Sequence, residues 1–188
     1  MAGIMNEQSE QLCDLAKAGD LSAASELVTL HYQRIYAFFR RGCGNDEDAK
    51  DLTQKTFSKL WAALPSYQGR SSFSTWIHGI GHHVYVDWRR KGNRLEPQTD
   101  EWWETCVAEG PSPSEDATSR DLAKRLHAMV ARLDEGRREV VHLHYYQGLS
   151  IKETAEVLGV ATSTVKYRLR GALDELQQIK IEKGKIYE

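Results

Sequence analysis

"GLSIKETAEVLGVATSTVKYRLRGALDEL", residues 148–176, is the stretch that decides the fold. Ser150 is followed three residues later by Glu153, the pattern of a capping box, which places a helix start at Ser150. Ile151, Ala155 and Leu158 share one face of that helix, and Ala155 is small where a second helix must cross closely. Gly159 closes the helix and Val160 plugs the turn. The next helix carries Val165, Leu169, Ala172, Leu173 and Leu176 inward. Helix, short glycine-containing turn, helix is the helix-turn-helix arrangement. The second helix then presents Thr162, Ser163, Thr164, Lys166, Tyr167, Arg168 and Arg170 outward, at the positive end of its dipole. Such a face suits the major groove, with hydroxyls and helix N–H groups on phosphates and Lys166, Tyr167 and Arg170 toward base edges. An ordinary helical hairpin with a solvated charged face would give no reason for the capping box, Ala155, Gly159 and Val165 to occur together.

Upstream, Leu122, Leu126, Met129 and Leu133 recur at helical spacing. Val140, Val141, Leu143 and Tyr145 define a further helix that stops at Gly148. Residues 118–188 therefore read as one helical unit. Residues 95–117 differ in character: they are acidic and contain Pro97, Pro111 and Pro113, the composition of a flexible linker. Trp102 and Trp103 inside it are unusual for such a segment. Residues 1–94 read as four helices. The first ends at Gly19, the second runs to the "GCGN" stop, and the third begins with Asp46 as N-cap and ends at Pro65. The fourth runs from Ser72–Phe73 to about Lys91. No period-2 strand pattern occurs, so the expected class is all-α, with two small helical domains and a linker between them.

The chain has 188 residues, 40% hydrophobic and 28% charged. This is ordinary for a soluble globular protein. No apolar run approaches the ~18 residues that span a bilayer. The N-terminus lacks a basic start followed by an apolar stretch, so neither a signal peptide nor membrane insertion is expected, and a cytoplasmic location is. Cys13, Cys43 and Cys106 lie far apart, with no C-x-x-C, which favours free thiols in a reducing compartment. The net charge of −2 hides segregation. Arg70, Arg89, Arg90, Lys91 and Arg94 face only Asp87 between residues 70 and 94. From residue 96 to 121, eight acids face Arg120 alone. Two basic segments separated by an acidic one are compatible with a polyanionic partner.

The basic segment coincides with "TWIHGIGHHVYVDWRRKGNR", residues 75–94. His78 and His82 have a chelating i, i+4 spacing, but no third ligand lies nearby except Asp87, so no metal is expected. No nucleophile elbow, phosphate-binding loop or dinucleotide turn occurs, so neither a catalytic residue nor a cofactor is expected. Phe73 and Trp76, beside Ile77 and Ile80, read as core. Gly79 and Gly81 each weaken a helix by roughly 0.5–1 kcal/mol relative to alanine and have no evident purpose.

Residues 133–176 resemble region 4 of the extracytoplasmic-function (ECF) sigma factors of bacterial RNA polymerase. "AKAGDLSAASELVTLHYQRIYAFFRR" resembles their region 2.1, and residues 46–91 resemble regions 2.2 to 2.4. The resemblance covers roughly residues 12–178 in the family's order. It implies a non-catalytic initiation subunit. Region 2 would bind the clamp helices of the largest polymerase subunit through Asp48, Asp51, Leu52, Gln54 and Phe57. It would hold the −10 element through Tyr67, Arg70, Ser71, His82, His83, Arg89 and Arg90. Region 4 would bind the flap of the second-largest subunit and read the −35 element through the outward residues 162–170 named above. An anti-sigma factor is a further implied partner. Two departures stand out: Gly81-His82-His83 replaces a polar trio common in the family, and Gly171 sits where a long residue is frequent. A helix-turn-helix activator or repressor with an effector domain is the alternative, but it leaves "DLTQKTFSKLW" and the basic aromatic helix after it without a purpose. A sequestered adaptor imitating a sigma factor would be expected to lose Lys166, Arg168 and Arg170.

Overall fold

In the computed structural model of the protein, residues 2–92, 126 and 128–184 are described, with side chains at 6–92, 126 and 128–178. The described residues form helices and turns without a strand, the all-α architecture expected from the sequence. The linker segment 95–117, with Trp102 and Trp103, lies outside the described residues, as does Arg94. The chain divides into two compact units.

The N-terminal unit holds α1 (Ala2–Lys17), α2 (Leu21–Cys43), α3 (Asp46–Ala63) and α4 (Phe73–Arg90). Each boundary has a local cause. Gly19 takes φ 96°, which only glycine adopts cheaply, and turns the chain into α2. Asp20 caps α2 by accepting from the Ser22 and Ala23 N–H groups. Gly44, at φ 83°, closes α2 in the left-handed conformation. The cap of α3 is Asn45 rather than Asp46. Asn45 is extended and its side chain accepts from the Asp48 N–H at 2.8 Å. Asp46 sits one step inside the helix and is occupied by Tyr36 and Lys50. Ser72 caps α4 through the Thr75 N–H.

Helix α2 is the centre of the unit, packing against α1, α3 and α4. Leu27, Ile35 and Phe39 of α2, Leu52 and Leu60 of α3, and Phe73 and Ile77 of α4 are fully buried together. Each such side chain contributes roughly 1.5–3 kcal/mol on leaving water. The apolar pattern did not reveal the polar layer beside them. Thr53 and Thr56 are wholly buried, and their hydroxyls donate to the Ala49 and Leu52 carbonyls of the same helix.

His31 is also buried, with Nε2 2.8 Å from the Ser9 hydroxyl and its ring against Phe73. Its Nδ1 has no hydrogen-bond partner among the described residues. Burial, and then the neighbouring His78 and Arg34, push its pKa down to about 4.

In the C-terminal unit, residues 128–131 end a helix before Asp134 caps α5 (Glu135–Val141). The chain then widens into a π-turn over His142–Tyr146, which sequence periodicity did not distinguish from continued helix. α6 spans Ile151–Leu158 and α7 spans Thr162–Gly184. The capping box is present in both directions: the Ser150 N–H donates to Glu153, and the Glu153 N–H donates to the Ser150 hydroxyl. Val165, Leu169 and Ala172 are buried as expected, and α5 packs against α7. Leu173 is not: it is 49% exposed, because the inward stripe passes through 165, 169 and 172 and residue 173 lies beyond its edge.

The depressed pKa of His31 has a sign that a titration reads. The unfolded residue takes a proton near pH 6.5 and the folded one only near pH 4. The unfolded state therefore binds more protons between those values. The stabilisation is complete above pH 6.5 and is lost as pH falls toward 4. In urea titrations followed at the Ile77 methyl NMR signal, the midpoint is expected to fall on going from pH 7 to pH 5. His31→Gln should flatten that dependence.

Candidate nucleic-acid interface

Three surfaces follow from these elements. The first is the outer side of α3. Asp51 and Gln54 are exposed, and Asp51 pairs with Lys55 one turn on. Leu52 and Phe57, expected on the same binding edge, are instead buried in the bundle, at 1% and 7% exposure. Leu52 lies on the opposite side of the helix from Gln54, whereas Phe57 is one turn beyond Gln54 and stacks on Tyr32 of α2. Asp48 is half-buried and internally engaged. It accepts from the Trp88 indole at 3.3 Å and from the Asn45 amide at 2.8 Å. That contact ties the start of α3 to the end of α4 across 40 residues of sequence. Nearby, hydrogen bonds from Lys50 and Tyr36 hold the Asp46 carboxyl below the usual carboxylate range, against its partial burial.

The second surface is the loop before α4 and the outer side of α4. Tyr67 is part of the wall of the unit rather than an open platform. Its ring lies 4.7 Å from Trp76 and 5.6 Å from Phe73, and its hydroxyl donates to the Ser71 carbonyl. Burial, then the charges of Glu10, Cys13 and Asp14, push its pKa up to about 12. Lys17 of α1 donates to the Tyr67 carbonyl at 2.8 Å, so α1 helps to hold the loop. Gln68, Gly69 and Arg70 are its exposed part, with Ser71 half-buried. Phe73 is core, as expected.

On α4, the two histidines of the i, i+4 pair are placed differently. His78 is fully buried and its Nδ1 donates to the Ser74 carbonyl at 2.7 Å. His82 is half-buried with its ring edge-on to His83. His83 is exposed, and its Nδ1 donates to the Gly79 carbonyl, which fixes the ring and leaves Nε2 outward. Arg90 and Lys91 are exposed, while Arg89 lies over the Tyr85 ring at 6.0 Å.

Helix α4 runs unbroken through both glycines. A methyl group at Gly79 would meet nothing within 4 Å. One at Gly81 would make only ordinary contact with Phe39 and Thr56. The glycine that a close approach requires is Gly42 of α2, where a Cβ would lie 2.9 Å from the Tyr85 ring. The Tyr85 hydroxyl donates to the Gly42 carbonyl at 3.1 Å.

The third surface is α7. Thr162, Ser163, Lys166, Tyr167 and Arg170 are exposed, Tyr167 at 73%, and Thr164 is half-buried. Arg168, expected outward with them, instead turns back onto α5, where a Cβ at Gly136 would lie 3.2 Å from its guanidinium. Gly171 has the reciprocal neighbour: a Cβ there would lie 3.0 Å from Nε of Arg137. The residue missing from α7 at position 171 is thus matched by a long side chain from α5.

Residues 27–95 match Sigma-70 region 2, and residues 123–176 match Sigma-70 region 4. The RNA polymerase sigma factor YlaC of Bacillus subtilis is 31% identical over 154 residues, covering 81% of this chain and 89% of that protein. The ECF sigma factor SigE of Mycolicibacterium smegmatis is 32% identical over 153 residues, covering 81% of this chain; the chain spans 59% of that longer protein. Among solved structures, CnrH in complex with the cytosolic domain of CnrY superposes with a TM-score of 0.67 at 24% identity, covering 93% of this chain and 98% of CnrH. RpoE of Bartonella quintana, in complex with the anti-sigma factor NepR, superposes with a TM-score of 0.64 at 23% identity, covering 82% of this chain and 94% of RpoE. The chain belongs to the ECF sigma factors of RNA polymerase.

The glycines of α2 and α4 are expected to respond oppositely to alanine. Gly79→Ala should raise the stability of the N-terminal unit by about 0.5–1 kcal/mol, since helix propensity improves and nothing clashes. Gly42→Ala should lower it, because the Tyr85 ring must move. Urea unfolding of the two variants checks both signs.

Proposed function

We propose that this chain binds the RNA polymerase core, directs it to particular promoters and helps to open the −10 region, without a catalytic step of its own. What supports the reading most is the outward face of α7, in which Lys166, Tyr167 and Arg170 stand exposed beside a buried Val165–Leu169–Ala172 stripe. Residues 1–94 would act as the region 2 domain, 95–117 as the linker and 118–188 as the region 4 domain. Its working place would be wherever polymerase is, the cytoplasm.

Asp51 and Gln54 would meet basic residues of the clamp helices. Arg70, His83 and Arg90 would contact the displaced −10 strand, with Gln68 at the loop tip. Taking a base from the stack costs a few kcal/mol, and a shaped loop with cations on the phosphates offsets it. Thr162 and Ser163 would hold phosphates at the positive end of α7, while Lys166, Tyr167 and Arg170 approach base edges in the major groove. CnrH and RpoE are each seen bound to a second protein, RpoE to an anti-sigma factor, and a protein of that kind would hold this chain away from polymerase.

Lys166→Ala combined with Arg170→Ala is expected to lower −35-dependent run-off transcription on the order of a hundredfold, given about 1–3 kcal/mol per base-reading contact. Co-purification with core polymerase should be unchanged, and its loss would contradict the assignment of α7. Asp51→Arg places a cation where a basic partner is expected and should weaken core association at least about tenfold. Equal retention of wild type and variant on immobilised core would refute the role of α3.

A further inference from the structure

Arg137 is a residue of α5, yet its side chain lies on α7. Its Nε, Cζ and Nη2 come within 3.0–3.2 Å of where a Cβ at Gly171 would stand. Two carboxylates hold it there. Nη1 bonds Glu175 of α7 at 2.5 Å, and Nε lies 3.2 Å from Asp134, the cap of its own helix. These contacts occupy two positions of the guanidinium fork. Nη2 donates to no described residue, and the side chain is 33% exposed.

The guanidinium forms one wall of an open cavity of about 740 Å³, lined also by Tyr167, Arg170, Asp174, Glu175 and Gln178. The charge along it is graded. Arg170 and Tyr167 stand toward the N-terminal end of α7, and Asp174 and Glu175 toward the other. Arg137 stands between the two, bonded to Glu175 on one side and lining the cavity with Arg170 and Tyr167 on the other. Tyr167 and Arg170 belong to the face that the proposed function turns toward duplex DNA, so an anion that reaches this place is a phosphate of that duplex.

We propose that Arg137 is a DNA-backbone contact: reaching from α5 across Gly171, it binds a phosphate of the duplex that α7 reads. The tether to Glu175 and Asp134 pre-orders a side chain that otherwise loses much rotamer freedom on binding, which lowers the entropic cost of the contact. A guanidinium with two donors engaged keeps donors for a phosphate, which a lysine ammonium could meet only as a point charge. The contact carries no sequence information; it would fix register and strength. The inference rests on the reading of α7 given above.

The test uses the full chain assembled with core polymerase. The wild-type holoenzyme first selects duplexes from a library randomised at the −35 element, and affinities for several selected duplexes are then measured from low to moderate salt. Each phosphate contact contributes about 0.9 to the slope of log K against log salt. Arg137→Gln is expected to reduce the slope by about that amount and to weaken all selected duplexes by a similar factor, leaving their ranking intact. Arg137→Lys keeps the charge and should keep the slope, which also excludes misfolding as the cause. An unchanged slope with a changed ranking in Arg137→Gln would mean that Arg137 only positions α7, and would overturn the proposal. Equal slope loss in the Gln and Lys variants would overturn it too. Failure of the wild-type holoenzyme to enrich any −35 sequence would instead remove the reading of α7 on which the proposal stands.

Discussion

A helix has one stripe to bury, and in this protein the buried stripe decides what every helix offers to a partner. On α7 the stripe is Val165, Leu169 and Ala172, spaced four and three residues apart. Once these face the interior, Lys166, Tyr167 and Arg170 have no direction left but outward, and Arg168 has none but along the seam with α5. On α3 the stripe of Leu52, Thr56 and Leu60 puts Asp51 and Gln54 on the opposite side. The interaction surfaces are consequences of packing, held in place by apolar burial rather than by the charges themselves.

Within that frame, polar groups inside the units do a different task from those outside. Asp48 and Trp88 join the start of α3 to the end of α4. Tyr85 grips the Gly42 carbonyl, and His31 reaches Ser9 of α1. Each is a directional contact between elements that are distant in sequence. Such contacts contribute about 1 kcal/mol apiece, but a partner left unsatisfied in the interior costs more than the bond itself contributes. They therefore select one arrangement of the helices among those that the apolar stripes alone would permit. The basic end of α4 is anchored in this way beside α3, which brings the proposed polymerase-binding and strand-holding surfaces into one rigid unit.

The C-terminal unit uses arginine and glycine in the same manner. Arg168 of α7 lies over Gly136 of α5, and Arg137 of α5 lies over Gly171 of α7. Two long cations cross the seam in opposite directions, each resting where the other helix has no side chain. A side chain at Gly136 would meet the Arg168 guanidinium, and one at Gly171 would meet that of Arg137, which can shift only by giving up Glu175 and Asp134. The seam thereby links the orientation of the reading helix to the charge it carries.

Much of this was legible without coordinates. The capping box at Ser150, the stops at Gly19, Gly44, Gly148 and Gly159, and the apolar spacings specify helices and their ends, because these depend on neighbours within a few residues. The family pattern supplied the order of the two units. What the linear pattern could not reveal is which of several adjacent residues faces inward when a stripe has two possible edges. Tyr67 and Arg168 were expected outward and turn inward, Leu173 the reverse, and Asp48 is spoken for by an indole 40 residues away. The chain alone determined where helices begin and which residue types they carry. Only the tertiary structure decided which of those residues remain available to a partner, because availability depends on contacts between elements that no local spacing encodes.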